Sequence, residues 1–162
     1  LKFVMKPEMW EDTSDEGYPG HEHGIWSGHF HNGTNALMGL LDIARALNDN
    51  KLLQVVREGY DHAVRQGILR IGWFPAWSKP TSYNRPAILE AVTEPCAMAD
   101  MVCLAVMMSD VGQGDYWDDV DAIIRNTLIA QQITNLERFR AVAGAVPGSE
   151  DDAMLKRFLG GF

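Results

Sequence analysis

Between residues 34 and 47 the chain reads TNALMGLLDIARAL, with Leu37, Leu40, Leu41, Ala44 and Leu47 recurring at steps of three and four. That period gathers the apolar side chains on one face of a helix. Thr34 stands where an N-cap would accept a free backbone N–H. After a polar break, NDNK, the run LLQVVREGYDHAVRQG repeats the pattern through Leu52, Val55, Val56, Tyr60, Ala63 and Val64, and it stops at Gly67, a C-cap residue. The two runs predict an antiparallel helical hairpin over residues 34–67.

A second pair follows. TEPCAMADMVCLAVMMSD opens on Thr93 as an N-cap, with a proline in the first turn, where a missing N–H costs nothing. VGQG interrupts it. DYWDDVDAIIRNTLIAQQIT then predicts a further helix, with acids in its first turn facing the helix dipole and Val120, Ile123, Ile124 and Leu128 turned inward. The second hairpin spans residues 93–134. Aligning Ala36 with Cys96 sets the two hairpins sixty positions apart, and a helix pair recurring at a fixed period marks a repeat or toroid. Each unit leaves an apolar face that a neighbour must cover, so a closed ring needs more hairpins than these two.

The intervening ILRIGWFPAWSKPTSYNRPAILEAV is rich in proline and aromatics and too long for a simple turn, which suits a loop that shapes a cleft. Residues 137–162 are expected to hold a loop, AGAVPGSEDD, and then a short helix from Ser149.

Composition narrows the partners. The net charge is −8, with acids spread along the chain, which argues against a nucleic-acid partner, because such proteins carry a basic patch or stripe. The longest apolar runs fall short of the ~20 residues of a membrane span, so the chain reads as soluble, with no membrane partner. LKFVMKPEMW lacks the apolar core of a signal peptide and starts on leucine; either a start has been removed or the sequence begins inside a longer chain. Cys96 and Cys103 are seven residues apart on one expected helix. That is about 10 Å along its axis, too far for a disulfide.

Three stretches could carry chemistry. GHEHGIWSGHFHNG contains His21, His23, His29 and His31, four of five histidines. Loop histidines often do no more than satisfy backbone groups. His29 and His31, however, immediately precede a helix within an aromatic loop containing Trp26 and Phe30, where neutral imidazoles can bond hydroxyls or exchange protons near pH 7. GWFPAW offers Trp73 and Trp77, whose flat indoles can stack on sugar rings while the N–H bonds a hydroxyl; the plainer reading is core packing. In TEPCAMAD, Glu94, Cys96 and Asp100 stand at the start of a helix, whose dipole would lower the pKa values of Glu94 and Cys96 in its first turn. Zinc accepts these ligand types, yet it needs at least three protein ligands. Cys103, among apolar neighbours, reads as a buried structural thiol. Asp115, Asp118, Asp119 and Asp121 read as a solvated first turn, without the glycine and distal glutamate of a calcium-binding loop.

GHFHNGTNALMGLLDIARALNDNKLLQVVREGYDHAVRQG, RIGWFPAW and TEPCAMADMVCLAVMMSDVGQGDYWDDVDAIIRNTL together resemble the helical barrel of bacterial six-hairpin glycosidase-like proteins, and more distantly the beta-L-arabinofuranosidases. The resemblance implies an all-α fold, part of an (α/α)6 toroid, with residues 1–162 forming a partial barrel whose partner is the remainder of that barrel. It implies a glycoside hydrolase acting on plant or algal poly- or oligosaccharide. Glu94 and Cys96 match the arabinofuranosidase Glu-x-Cys zinc motif, and His29, His31, Trp73 and Trp77 would line the sugar cleft. The later adjacent cysteine pair, which supplies the other ligands and the nucleophile, has no counterpart here. Glu90 is merely near the expected acid, so the fragment alone should be inactive. Two alternatives stand beside this reading: a metal-free sugar epimerase or lyase-like enzyme using paired histidines, and a non-catalytic helical-repeat module binding a glycan or protein.

Overall fold

The structure, a computed structural model, describes residues 28–78 and 92–162. It is all-α, as expected. The described residues form α1 (Phe30–Leu47), α2 (Asn50–Gln66), α3 (Pro95–Asp110), α4 (Trp117–Ala122), α5 (Leu136–Ala143) and α6 (Glu150–Arg157), with two short strands, β1 (Gly28–His29) and β2 (Trp77–Ser78). The strands pair antiparallel, Gly28 against Ser78 and His29 against Trp77. His21, His23, Trp26 and Glu90 lie outside the described residues.

The first hairpin forms, but its opening helix starts four residues before Thr34, at Phe30. Tertiary contacts explain the extra turn. Phe30 is fully buried, its ring lies 5.5 Å from that of Phe74, and its N–H donates to the Ala76 carbonyl at 2.9 Å. The N-cap position falls on His29, whose side chain caps nothing, and Thr34 sits inside the helix with its hydroxyl 3.2 Å from the Phe30 carbonyl. At the other end Asn48 takes the left-handed conformation (φ 52°) that asparagine tolerates. Asp49 then caps α2 by accepting the N–H groups of Lys51 and Leu52, so two residues reverse the chain.

Leu37, Leu40, Leu41 and Ala44 of α1 pack with Leu53, Val56, Tyr60 and Ala63 of α2 in one buried cluster. Burying a leucine contributes about 2 kcal/mol, so this face outweighs any capping contribution. Leu47, placed on the same face by periodicity, is 66% exposed because it sits in the last turn, beyond that cluster. α1 and α2 cross closely at Gly59, where a Cβ would lie 2.5 Å from the Leu37 side chain.

α3 is apolar on most of its circumference, with Ala97, Met98, Met101, Leu104, Ala105 and Met108 buried, and it packs against both α1 and α4. A helix apolar nearly all round belongs between layers. Pro95 occupies its first turn as expected, but the N-cap position is Glu94. Thr93 instead donates its hydroxyl to the Phe74 carbonyl at 2.6 Å, pinning the aromatic loop. Cys103, expected to be buried, is exposed.

α4 runs on as a π-helical stretch, Ile123–Leu128. This stretch meets a one-turn 3-10 helix, Leu69–Ile71, at the close of the first hairpin. Gly72 (φ +65°) allows the approach: a Cβ there would stand 2.4 Å from the Ile123 Cα. Thr127 donates its hydroxyl to the Ile71 carbonyl across the same contact. Val120 and Ile123 are buried, and Ile124 and Leu128 pack against the core, all four as expected.

Beyond α4 the chain forms α5, which periodicity did not signal, and then α6, capped by Ser149 as expected. The two are tied by Asp152, which accepts from Arg140, from the Gly148 N–H and from Lys156. These partners, Arg140 foremost, hold its carboxyl far below the usual carboxylate range.

Candidate functional site

The ends of α1 and α3 that carry their first turns lie side by side, and the polar residues flagged in the sequence collect there. His29, the last residue of β1, directs Nε2–H at the Glu94 carboxylate, 2.8 Å away. The β1–β2 pairing sets Trp77 opposite His29, and the two rings lie 5.2 Å apart, tilted by 50°. Trp77 is 58% exposed, so its indole presents a face to solvent. Three segments far apart in sequence thus converge: residue 29, residue 77 and residue 94.

Glu94 also accepts from the Cys96 thiol at 3.6 Å. The His29 hydrogen bond, with that of Cys96, holds the Glu94 carboxyl below its ordinary value despite some desolvation. It is ionised at neutral pH. Cys96 moves the other way: burial first, and then the adjacent Glu94 carboxylate, push its thiol up. The lowering expected from the helix dipole is overridden by the negative neighbour, and Cys96 is a thiol in this arrangement.

His31 occupies the first turn of α1 and takes a different carboxylate. Its Nδ1 lies 2.6 Å from Asp100 Oδ2. Thr34, one turn on and on the same face, donates its hydroxyl to the same oxygen, also at 2.6 Å. The His29 and His31 rings stand edge to face with centroids 6.0 Å apart. Asn35 Nδ2 lies 3.0 Å from His31 Nε2 and 3.1 Å from Nδ1.

Of the residues picked from sequence, the structure therefore brings together His29, His31, Trp77, Glu94 and Cys96. Trp73 is placed differently. It is partly buried, and its backbone bridges Ile68 where the loop leaves α2, which matches the packing alternative. Asp100, named in the same stretch as Glu94 and Cys96 but given no role, and Thr34, read as a cap, acquire a place at the site. The available signal was spacing: Asp100 is six residues after Glu94, on a helix whose buried residues are otherwise apolar, and an acid on such a face needs a partner. A separate polar groove lined by Asn50, Gln54, Arg57, Glu58, Asp61 and Gln113 opens where α2 begins and α3 ends, and it shares no residue with the histidine group.

The zinc expectation meets a mixed donor set. Glu94 and Cys96 do turn toward each other, as two ligands of one ion would. Among the described residues, however, no three His, Cys, Asp or Glu side chains are grouped to hold a metal, and His29 and Cys96 are engaged with Glu94 by hydrogen bonds. Two neighbouring side chains of types that zinc accepts fall short of the three protein ligands a zinc site needs.

Compared with protein-family models, curated proteins and solved structures, the chain matches none.

Proposed function

We propose that the chain is part of a carbohydrate-active protein of the glycoside hydrolase type, built as part of an (α/α)6 toroid. The observation that carries this reading is the convergence of an exposed indole, Trp77, with the His29–Glu94 pair. Sugar recognition combines a flat apolar surface with a few fixed polar groups beside it. Trp77 supplies the stacking face, while His29, His31 and Glu94 supply hydrogen bonds to ring hydroxyls. The resemblance of residues 20–134 to six-hairpin glycosidase-like proteins supports the same reading. So do Trp117, Ile129 and Val142, large apolar side chains left exposed on the later helices, where neighbouring hairpins of a ring would pack.

In this arrangement Glu94 does not fit the general acid of such a site. A glycosidase acid keeps its proton at neutral pH through a raised pKa, whereas Glu94 is held low. Its chemistry is that of a carboxylate: accepting hydrogen bonds, stabilising developing positive charge, or binding a cation. In the zinc form of the proposal Glu94 and Cys96 are two of the ligands, the others coming from outside the described residues.

The edge-to-face histidine pair favours a second reading, a sugar epimerase or lyase in which imidazoles move a proton beside a carbonyl. One experiment separates the readings. The full-length protein of which the chain is proposed to be part is incubated with plant and algal oligosaccharides in D2O. New reducing ends report hydrolysis, carbon-bound deuterium reports epimerisation, and unsaturated sugars report elimination. The expected result is reducing-end release, lost in Glu94→Gln. Glycan binding that survives both Glu94→Gln and Cys96→Ser, with no turnover, would replace the enzyme readings with a binding module.

A further inference from the structure

Asp100 is an acid on the apolar helix α3, only 9% exposed, and nothing in the carbohydrate reading uses it. Left unpaired there, a carboxylate would cost several kcal/mol. Its Oδ2 instead receives two short hydrogen bonds, from His31 and Thr34. Thr34 is fully buried, and the Phe30 and His31 carbonyls lie 3.2 and 3.0 Å from its hydroxyl. The one hydroxyl proton points to the nearest and most negative acceptor, Asp100, which fixes the carboxylate in place.

That arrangement determines which nitrogen of His31 carries hydrogen. Facing a carboxylate oxygen, Nδ1 must donate, so in the neutral ring Nε2 is bare. The exposed Asn35 amide lies 3.0 Å from Nε2 and 3.1 Å from Nδ1 and donates to the His31 carbonyl at 3.0 Å, so it favours neither ring nitrogen, and the carboxylate at Nδ1 sets the tautomer. The His31 side chain is 37% exposed, against 12% for Asp100. The ring therefore has a buried, anchored edge and an open, basic edge. His29 is wired in the opposite sense, with Nε2–H committed to Glu94. The charged and titratable groups around His31 are Asp100, Glu94 and Cys96 from α3 and His29 from β1.

We propose that His31 and Asp100 form a proton-transfer dyad, with His31 Nε2 as general base toward a substrate hydroxyl and Asp100, steadied by Thr34, as its positioning residue. In the step, the hydroxyl proton passes to Nε2 and the O–H electron pair stays on the substrate oxygen. The imidazolium that forms keeps Nδ1–H on Asp100, whose charge stabilises it. Returning the proton to a leaving oxygen restores the neutral ring. That the hydroxyl belongs to a sugar rests on the carbohydrate reading; the dyad itself does not.

The first test needs no substrate. Two-bond 1H–15N spectra of protein labelled in histidine should show His31 as its Nδ1–H tautomer, and a wild-type His31 protonated on Nε2 overturns the proposal. Diethyl pyrocarbonate, which acylates the bare nitrogen, should modify His31 in a mass map of the protein. Asp100→Leu removes the acceptor, while Thr34 retains the two carbonyls within reach. In that variant the His31 signal should shift toward the Nε2–H form and its acylation should slow several-fold. Thr34→Val, which removes the second hydrogen bond that fixes Asp100, should move both readouts in the same direction as Asp100→Leu but less far. Unchanged acylation in a folded Asp100→Leu protein overturns the positioning role.

The second test uses whichever sugar the D2O experiment turns over. His31→Gln and Asp100→Leu should lower kcat by about 100-fold or more with KM changed only a few-fold. An unchanged kcat overturns the base. If no sugar is turned over, the carbohydrate reading fails, and the tautomer and acylation results still decide the dyad.

Discussion

Two carboxylates join the first helical hairpin to the second, Asp119 between α4 and α2 and Asp100 between α3 and α1. Asp119 accepts the Tyr60 hydroxyl at 2.7 Å. Tyr60 is 1% exposed and its ring packs edge-on against Tyr116 at 5.0 Å. Its single donor is used, and the rest of the ring is core. Asp100 also accepts from the neighbouring helix, but one of its two donors is an imidazole with a second nitrogen facing outward. The same device, a carboxylate capturing a buried donor, closes one contact and leaves reactive capacity at the other. Burial and hydrogen bonding alone do not distinguish a structural acid from a functional one. What distinguishes them is whether the partner has an atom left over and where that atom points.

If the α4 side is purely structural, damage there should cost stability and leave the His31 tautomer and reactivity alone. On that side the largest effect is expected from Gly72→Ala. The new Cβ would meet the Ile123 backbone, which cannot swing aside as a side chain can, and the residue would be held at a positive φ. Strain and overpacking together should cost about 3 kcal/mol, or a fall in Tm of roughly 10 °C. Thermal unfolding followed by circular dichroism measures it. A loss of His31 acylation in the still-folded variant would mean that the two contacts are not independent.

Tyr60→Phe should do less, because it removes one hydrogen bond and leaves Asp119 only partly buried. About 1–2 kcal/mol is expected at neutral pH from urea unfolding. The pH dependence sharpens the assignment. Burial, followed by the hydrogen bond to Asp119, pushes the Tyr60 hydroxyl far above its ordinary pKa of 10.0. The folded state then holds a proton that the unfolded state releases, so this contribution is complete below about pH 10 and is lost as pH rises above it. The wild type should lose stability steeply on that alkaline limb, and Tyr60→Phe should flatten it. Identical alkaline slopes would show that Tyr60 ionises as freely in the fold as out of it.

The sequence conveyed the helices better than their beginnings. Where apolar residues recur every three or four positions, as from Leu37 to Ala44, burial and helix agree because packing rewards that face. Thr34 looked like a cap because threonine caps helices through a local hydrogen bond. Here its hydroxyl serves Asp100, 66 residues away, and the helix is started earlier by Phe30, which bonds across to Ala76. Cys96 shows the same limit: the local dipole argument gave one sign for its pKa, and burial, followed by the Glu94 carboxylate, reverses it. His29, His31, Trp77 and Glu94 were legible as candidates from residue type and loop position. Their pairing was not, because a pair such as His31–Asp100 exists only once α1 and α3 lie together. α5 was missed because its period, carried by Leu136, Phe139 and Ala143, runs for only eight residues, too short a stretch to stand out in the sequence.

The smallest effect on stability, and the one that most directly separates site from scaffold, is expected from Trp77→Ala. Trp77 is more than half exposed, and its backbone pairing with His29 does not depend on the side chain. Removing the indole should change unfolding free energy by no more than about 0.5 kcal/mol. The His29 ring loses a neighbour but retains Glu94, so the imidazole stays in place. Binding is a different matter, since a sugar ring would lose its stacking surface. A loss of about 1 kcal/mol corresponds to roughly five- to tenfold weaker binding, read by calorimetry against a panel of arabino-, xylo- and galacto-oligosaccharides. Phe74, by contrast, is fully buried under the same loop, and Phe74→Ala should cost about 3–5 kcal/mol by leaving a cavity. Weakened sugar binding with unchanged stability in Trp77→Ala places the tryptophan in the site. Lost stability with no change in binding would return it to a packing role.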